Sequence, residues 1–220
     1  MDRENRKFLK KLSICIVVLF VIVTSVNLCV MNFTPINRLL GGYEEQKLEL
    51  SRADGANITY NDDGTITLGE GYAELEFTGI DARVGSIGFD IDFGDSTKGG
   101  KVCADFADAT SSYYRKNLTR LTIGKNLDNV MVCNFSGDVS RLRFEISLDD
   151  YHSATLKGIT LNQSISPMHI AEIVGLWFLV ALGLTILIYM IANPVGARKK
   201  FSENRVGCAR VAAFITAAAM

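Results

Sequence analysis

Two stretches decide the fold: residues 85–93 read GSIGFDIDF, and residues 141–148 read RLRFEISL. In both, large apolar residues occupy every second position, and polar residues or glycine occupy most of the positions between them. Successive side chains of a strand point to opposite faces of the sheet, so this period of two predicts strands with one buried and one exposed face. Such strands are typical of antiparallel sheets.

Shorter candidate strands surround these two, with turn signals between them. The clearest turn is Asn61-Asp-Asp-Gly64, because Asp-Gly supplies the positive-φ positions that a tight hairpin needs. About nine short strands without a helical period predict an antiparallel β-sandwich of jelly-roll type. Before them, Ile36 to Leu50 predict a short helix with a break at Gly41-Gly42. The shorter candidate strands are 57–60, 65–68, 73–77, 101–107, 118–123, 130–135 and 156–161.

Two apolar stretches flank this polar middle. Leu12 to Met31 and Ile173 to Ala192 contain no Asp, Glu, Lys, Arg or His. About 20 apolar residues in a helix cross a hydrocarbon core roughly 30 Å thick. The sequence therefore predicts transmembrane helices at 12–31 and 167–192. The alternative for the first stretch is a cleaved signal peptide, but the run is long for one and no small-x-small cleavage site follows it.

The charges around the two stretches predict their orientation. Five basic residues precede the first stretch and five follow the second, so the positive-inside rule makes residues 1–11 and 193–210 cytoplasmic. Residues 32–166 contain 13 Lys plus Arg and 20 Asp plus Glu, a net charge of 13 − 20 = −7, and are predicted to be extracytoplasmic. The result is an integral plasma-membrane protein whose sandwich is inserted between two helices.

The chain becomes apolar again at residues 211–220. This run predicts the start of a third transmembrane helix in a truncated chain, with further transmembrane helices of the same chain as partners. The alternative is an amphipathic tail that lies at the membrane interface, with Arg210 among the headgroups.

Few residues suggest specific chemistry. Cys103 and Cys133 lie in predicted outer strands, where a disulfide would persist, although Cys103 falls on the polar side of its strand. The two histidines, His152 and His169, are far apart and do not indicate a metal site or a catalytic triad. We expect no metal and no cofactor, and the sequence does not single out catalytic residues.

Tyrosines are the candidate ligand-binding residues. Sandwiches often bind sugars by stacking a sugar ring on an exposed aromatic ring beside hydrogen-bonding groups, and Tyr72 with Glu74 and Glu76 fits that description. The alternative is that such tyrosines pack on their own domain. The candidates are Tyr72, Tyr113, Tyr114 and Tyr151.

The order of segments resembles the beginning of large bacterial membrane proteins of the GT-C glycosyltransferase type. The resemblance lies in the N-terminal anchor, the outer sandwich, and the strand that runs into the second span, where Ile159 to Pro167 read I-x-L-N-x-x-x-S-P. It implies a role in cell-envelope glycan assembly with a lipid-linked sugar as donor and an acidic base near the membrane. Glu44 and Glu45 stand where such a base would lie, but no motif assigns them.

Two further hypotheses belong to other classes. The chain fits a membrane-anchored sensor or accessory protein whose outer sandwich binds a carbohydrate or another envelope ligand, and it also fits a structural envelope protein. The expected partners are membrane lipid and carbohydrate or a lipid-linked sugar, and no nucleic acid.

Overall fold

The computed structural model describes residues 3–94, 98–108, 115–121, 129–133, 138–149 and 152–192. The predicted cytoplasmic loop 193–210 and the predicted third span 211–220 lie outside these residues. The described residues form two compact units, a helical unit of residues 3–27 and 171–192, and a sandwich unit within residues 28–170.

The helical unit is built from two long apolar helices. Helix α1 comprises Arg3–Val26 and continues as one π-helical turn, Asn27–Met31; helix α3 comprises Pro167–Ala192. By length and composition, Lys11–Met31 and Pro167–Ile191 are able to cross a membrane. Only 6% and 11% of their most apolar windows are buried, so neither is packed like the core helix of a soluble protein.

An aromatic pair joins the two helices, and each helix also has small buried residues. The rings of Phe20 and Phe178 meet edge to face with their centroids 5.7 Å apart. Ala181 and Thr185 are buried on α3, and Thr24 is buried on α1. The Thr185 hydroxyl donates to the Ala181 carbonyl at 2.7 Å, which satisfies this polar group inside an apolar helix.

The sandwich unit consists of two antiparallel sheets. Sheet I has the strand order β3-β4-β11-β6-β9, with β1 also paired to β11, and sheet II has the order β2-β5-β10-β7-β8. A short helix, α2, precedes the strands at Pro35–Gly41. The strands are β1 Gln46–Leu48, β2 Asp54–Ala56, β3 Ile58–Tyr60, β4 Ile66–Leu68, β5 Tyr72–Arg83, β6 Ser86–Asp92, β7 Gly100–Ala107, β8 Arg115–Leu121, β9 Val130–Val132, β10 Asp138–Leu148 and β11 Ala154–Leu161.

The core lies between the two sheets and follows the alternation in the sequence. Phe144 of β10 is fully buried, and its ring meets Phe77 of the same sheet at 6.0 Å and Phe89 of the opposite sheet at 5.4 Å, both edge to face. Offset or edge-to-face pairs are the favourable arrangements of aromatic rings. The predicted antiparallel β-sandwich is thus confirmed, while its jelly-roll type stays a prediction.

The segment before the sandwich differs from the prediction. The helix predicted over Ile36 to Leu50 ends at Gly41, at the predicted break, and does not resume. Gly42 adopts a left-handed conformation with φ +64°, and its backbone N–H bonds back to the last turn. Gln46–Leu48 is a strand that pairs with β11. A glycine in this conformation is the usual stop for a helix, and the pairing partner lies more than 100 residues along the chain, where no local pattern reveals it.

The sandwich begins and ends at one place. The backbone N–H of Ile165 donates to the carbonyl of Phe33 at 2.9 Å. Directly after β11, Asn162 is 1% exposed and has a left-handed backbone with φ +57°. Its side-chain oxygen accepts from the Gly85 N–H at 2.7 Å, and its side-chain nitrogen donates to the carbonyls of Glu44 at 2.7 Å and Arg83 at 2.9 Å.

We predict that Asn162→Ala lowers the free energy of unfolding by about 2–4 kcal/mol, because the buried Gly85 N–H and the part-buried carbonyls of Glu44 and Arg83 lose their partner, and because alanine is strained in a left-handed backbone. Asn162→Gly relieves the backbone strain but also removes the hydrogen bonds. Urea unfolding of the chain in detergent micelles, followed by circular dichroism, measures both variants. If Asn162→Gly is as stable as the wild type, the hydrogen bonds do not hold this junction.

Candidate functional site

The outer side of sheet II carries charged side chains arranged in rows across the strands. One row is Tyr72, Ser147 and Lys101; the next is Glu74, Glu145 and Cys103; the third is Glu76, Arg143 and Asp105. Side chains at opposed positions of antiparallel strands lie on the same face, so these rows form one surface. We call this surface, formed by Tyr72, Glu74, Glu76, Lys101, Asp105, Arg143, Glu145 and Ser147, the charged face.

An ion pair between Arg143 and Asp105 lies at the centre of the charged face. The Asp105 side chain is 2% exposed and accepts from Nη2 of Arg143, whose side chain is 28% exposed. Carboxylate oxygens of Glu145 and Glu74 lie 3.6 Å and 3.9 Å from Arg143. The hydrogen bond with Asp105 raises the pKa of Arg143 against the opposing effect of burial. The guanidinium group is therefore held in place by acidic side chains on three strands.

Tyr72 lies at the edge of the charged face and is 42% exposed. Its hydroxyl donates to Oε2 of Glu74 at 3.2 Å, and its backbone carbonyl accepts from the side chain of Asn57. Partial burial and, secondarily, the charge of Glu74 raise the pKa of Tyr72. An accessible ring thus stands beside fixed carboxylates. Of the four candidate tyrosines only this one can be placed, because Tyr113, Tyr114 and Tyr151 lie outside the described residues.

The two candidate disulfide cysteines lie on different sides of the sandwich structure. Cys103 is on the outer side of sheet II, opposite Glu145, while Cys133 follows β9 in sheet I and belongs to the buried core. A disulfide needs Cα atoms within about 7 Å and Cβ atoms that point toward one another. The pairing stays a prediction, and this placement disfavours it.

A second polar surface lies on the outer side of sheet I. It is an open cleft of about 410 Å³ lined by polar residues that include Glu45, Asp90, Thr160 and Gln163. The side chain of Gln163 lies over Gly88, where an added Cβ would come within 1.6 Å of its Oε1. No aromatic side chain is exposed there among the lining residues, because Phe89 points into the core.

An ion pair lies on the same sheet beyond the cleft. Nζ of Lys157 donates to Oδ2 of Asp92 at 2.8 Å. This hydrogen bond lowers the pKa of Asp92 and raises the pKa of Lys157. Both side chains are about half exposed, so the pair orients the two groups and contributes little to stability.

Glu44 and Glu45, which stand where the resemblance would place a base but which no motif assigns, lie just before β1. Glu44 and Glu45 are exposed and line a cleft of about 340 Å³ together with Asp81 and Arg83. Glu45 is ion-paired with Arg38 of α2. In the described part of the chain, no group of three or more His, Cys, Asp or Glu side chains is arranged to hold a metal ion.

We predict that Arg143→Met lowers the free energy of unfolding by about 3 kcal/mol, because it leaves the Asp105 carboxylate buried without its cation. Arg120→Met is the matched control, since Arg120 is 69% exposed and its pair with Asp149 lies on the surface; we expect a change within about 0.5 kcal/mol. Urea unfolding compares the two. Equal midpoints for both variants would refute a structural role of the central pair.

The comparisons with known proteins concern the sandwich. No protein-family model matches the sequence, and no curated protein matches it. Among solved structures, a low-affinity xylan-binding module from Roseburia intestinalis has 10% identity and a TM-score of 0.38, over 56% of this chain and 96% of that one. A family 6 carbohydrate-binding module of a laminarinase from Zobellia galactanivorans has 13% identity and a TM-score of 0.36, over 55% of this chain and 100% of that one.

A family 29 carbohydrate-binding module in complex with cellulohexaose has 15% identity and a TM-score of 0.37, over 53% of this chain and 90% of that one. These likenesses concern the arrangement of strands, and no ligand or binding residue is transferred from them.

Proposed function

We propose that the chain is a membrane-anchored module whose sandwich binds carbohydrate on the charged face. The observation that carries this proposal is the exposed ring of Tyr72 beside hydrogen-bonding groups that are already held in place. A sugar ring stacks its apolar side on an aromatic ring, while its hydroxyls need donors and acceptors at its edge. Glu74, Glu145 and Arg143 supply them. Because ion pairs fix these side chains before binding, less conformational entropy is lost when a ligand is bound.

The charge of the surface beside Tyr72 limits the class of sugar that we expect to bind there. The charged groups that act on Tyr72 are two carboxylates, on Glu74 and Glu145, and one cation, on Arg143, a net charge of 1 − 2 = −1. A surface of this sign repels uronic acids and sugar phosphates and favours neutral sugars or sugars with a free amino group. The ligand class we propose is therefore a neutral or amino sugar.

Both apolar helices, in this proposal, are transmembrane and hold the sandwich on the extracytoplasmic side. Their length, their low burial and the basic residues on both flanks support it. The wider context is the resemblance to GT-C-type enzymes, in which the sandwich would bind or scaffold envelope glycan beside a lipid-linked sugar. No comparison matches that family, so this context stays a hypothesis.

We expect the chain in detergent micelles to bind amino-sugar oligosaccharides prepared from chitosan, or neutral glucan oligosaccharides, and to bind polygalacturonate far less. Tyr72→Ala should weaken the binding roughly three- to tenfold, because one ring-stacking contact is worth about that much. Isothermal titration calorimetry measures both effects.

Tyr60→Ala is the matched control, because Tyr60 is a tyrosine on sheet I with an exposed fraction of 51%, against 42% for Tyr72. It should bind as the wild type does. Equal affinities of the Tyr72→Ala and wild-type chains would move the site away from the charged face, and preferential binding of polygalacturonate would contradict the ligand class.

The proposed anchoring has its own test, because Trp177 of α3 is the single tryptophan of the chain. It lies ten residues after Pro167, about 15 Å along the helix. In vesicles of phosphatidylcholine brominated in the acyl chains, its fluorescence should be strongly quenched relative to vesicles without bromine. Unquenched emission at a wavelength typical of water would show that α3 does not enter the bilayer.

A further inference from the structure

The short helix α2 exposes an apolar face. Ile36, Leu39 and Leu40 occupy positions i, i+3 and i+4 and therefore lie on one side of the helix. Their exposed fractions are 66%, 81% and 82%. Leucines at this exposure are common singly, but three neighbours on one helix face form a patch, and such patches mark an interaction surface.

Contacts at both ends of α2 hold its position, although its apolar face is exposed. Thr34 caps the helix and accepts from the Asn37 N–H, the preceding Phe33 is buried, and the ring of Phe33 meets that of Tyr43 edge to face at 5.5 Å. The guanidinium carbon of Arg83 lies 5.0 Å from the centre of the Tyr43 ring. α2 is therefore held in place by Phe33 before it and Tyr43 after it, while its apolar face stays exposed.

The end of the first candidate span, which leads to α2, is also apolar and exposed. Val30 and Met31, the last residues of that span, are exposed, and only three residues separate Met31 from Pro35. The side chain of Asn37 donates to the carbonyl of Cys29 at 3.1 Å, which joins α2 to the final turn of the span.

The second candidate span begins beside the same place. Ile165 lies two residues before Pro167, and its backbone N–H donates to the carbonyl of Phe33. A bilayer that holds both spans would therefore have its surface within a few residues of α2. Charge does not oppose contact with lipid, because Arg38, the cation of α2, is ion-paired with Glu45.

We propose that α2 is an interfacial helix that inserts Ile36, Leu39 and Leu40 into the outer leaflet of the membrane in which the two spans are anchored. The inference rests on the proposed anchoring and adds a third lipid contact to it. Interfacial helices of this kind bury their apolar face about 5–10 Å into the boundary between headgroups and acyl chains. The sandwich would then be held against the bilayer by α2 as well as by its two tethers.

The test places a tryptophan on the apolar face of α2. In a chain with Trp177→Phe, which has no other tryptophan, Leu39→Trp reports on α2, and Leu40→Trp is a second reporter. The control is Ser153→Trp, at an exposed position that precedes β11, at the end of the strand opposite the Phe33–Ile165 junction and roughly 25 Å away from it. All are reconstituted in phosphatidylcholine vesicles with bromines at shallow positions of the acyl chains.

We expect the emission of the Leu39→Trp and Leu40→Trp chains to be blue-shifted and quenched by the brominated lipid, and that of the Ser153→Trp chain to be neither. Emission of both α2 reporters like that of the control would overturn the proposal. A blue shift without quenching would also overturn it, since the face would then be covered by protein, such as a second copy of the chain.

The measurement on Trp177 of the wild-type chain distinguishes a failure of the interfacial helix from a failure of the anchoring. If Trp177 is quenched and the α2 reporters are not, the anchoring stands and the interfacial helix is wrong. If none of them is quenched, both proposals are wrong.

Discussion

The buried side chain of Asn162 holds together the place where the sandwich begins and ends. Its three hydrogen bonds join the exit of β11 to the approach of β1, the end of β5 and the start of β6. An amide is suited to this position because it both accepts and donates, and because asparagine tolerates the left-handed backbone found there. The placement of α2 and the start of α3 relative to the sheets depends on the same junction.

The sequence predicts most of the sandwich, because its central strands have one buried face. β6 and β10 show the alternation clearly, and both lie inside their sheets. Two strands were not predicted from the sequence, Gln46–Leu48 and Asp54–Ala56. Each is three residues long and mostly exposed. Their conformation is set by hydrogen bonds to β11 and β5, which are distant in the chain, and not by any local periodicity.

The candidate site was only partly visible in the sequence. Tyr72, Glu74 and Glu76 could be recognised because they alternate along one strand. The central pair of Arg143 and Asp105 could not be recognised from the sequence. The two residues are 38 positions apart and meet only through the register of β10 and β7. A signal was present nonetheless, since Asp105 occupies the polar side of β7 next to Phe106, and an acidic residue at such a position needs a cation on a neighbouring strand.

The adjacent ends of the sandwich determine how it would respond to mechanical load. β1 and β11 are antiparallel, with Gln46 opposite Leu161, so the ends that lead to the two tethers leave from the same end of this strand pair. A force that separates the tethers acts first on the bond between Ile165 and Phe33 and then on the β1–β11 bonds one after another. Such a pair opens one hydrogen bond at a time at low force, and the next strand to be loaded along the chain is β2, which pairs with β5 of sheet II.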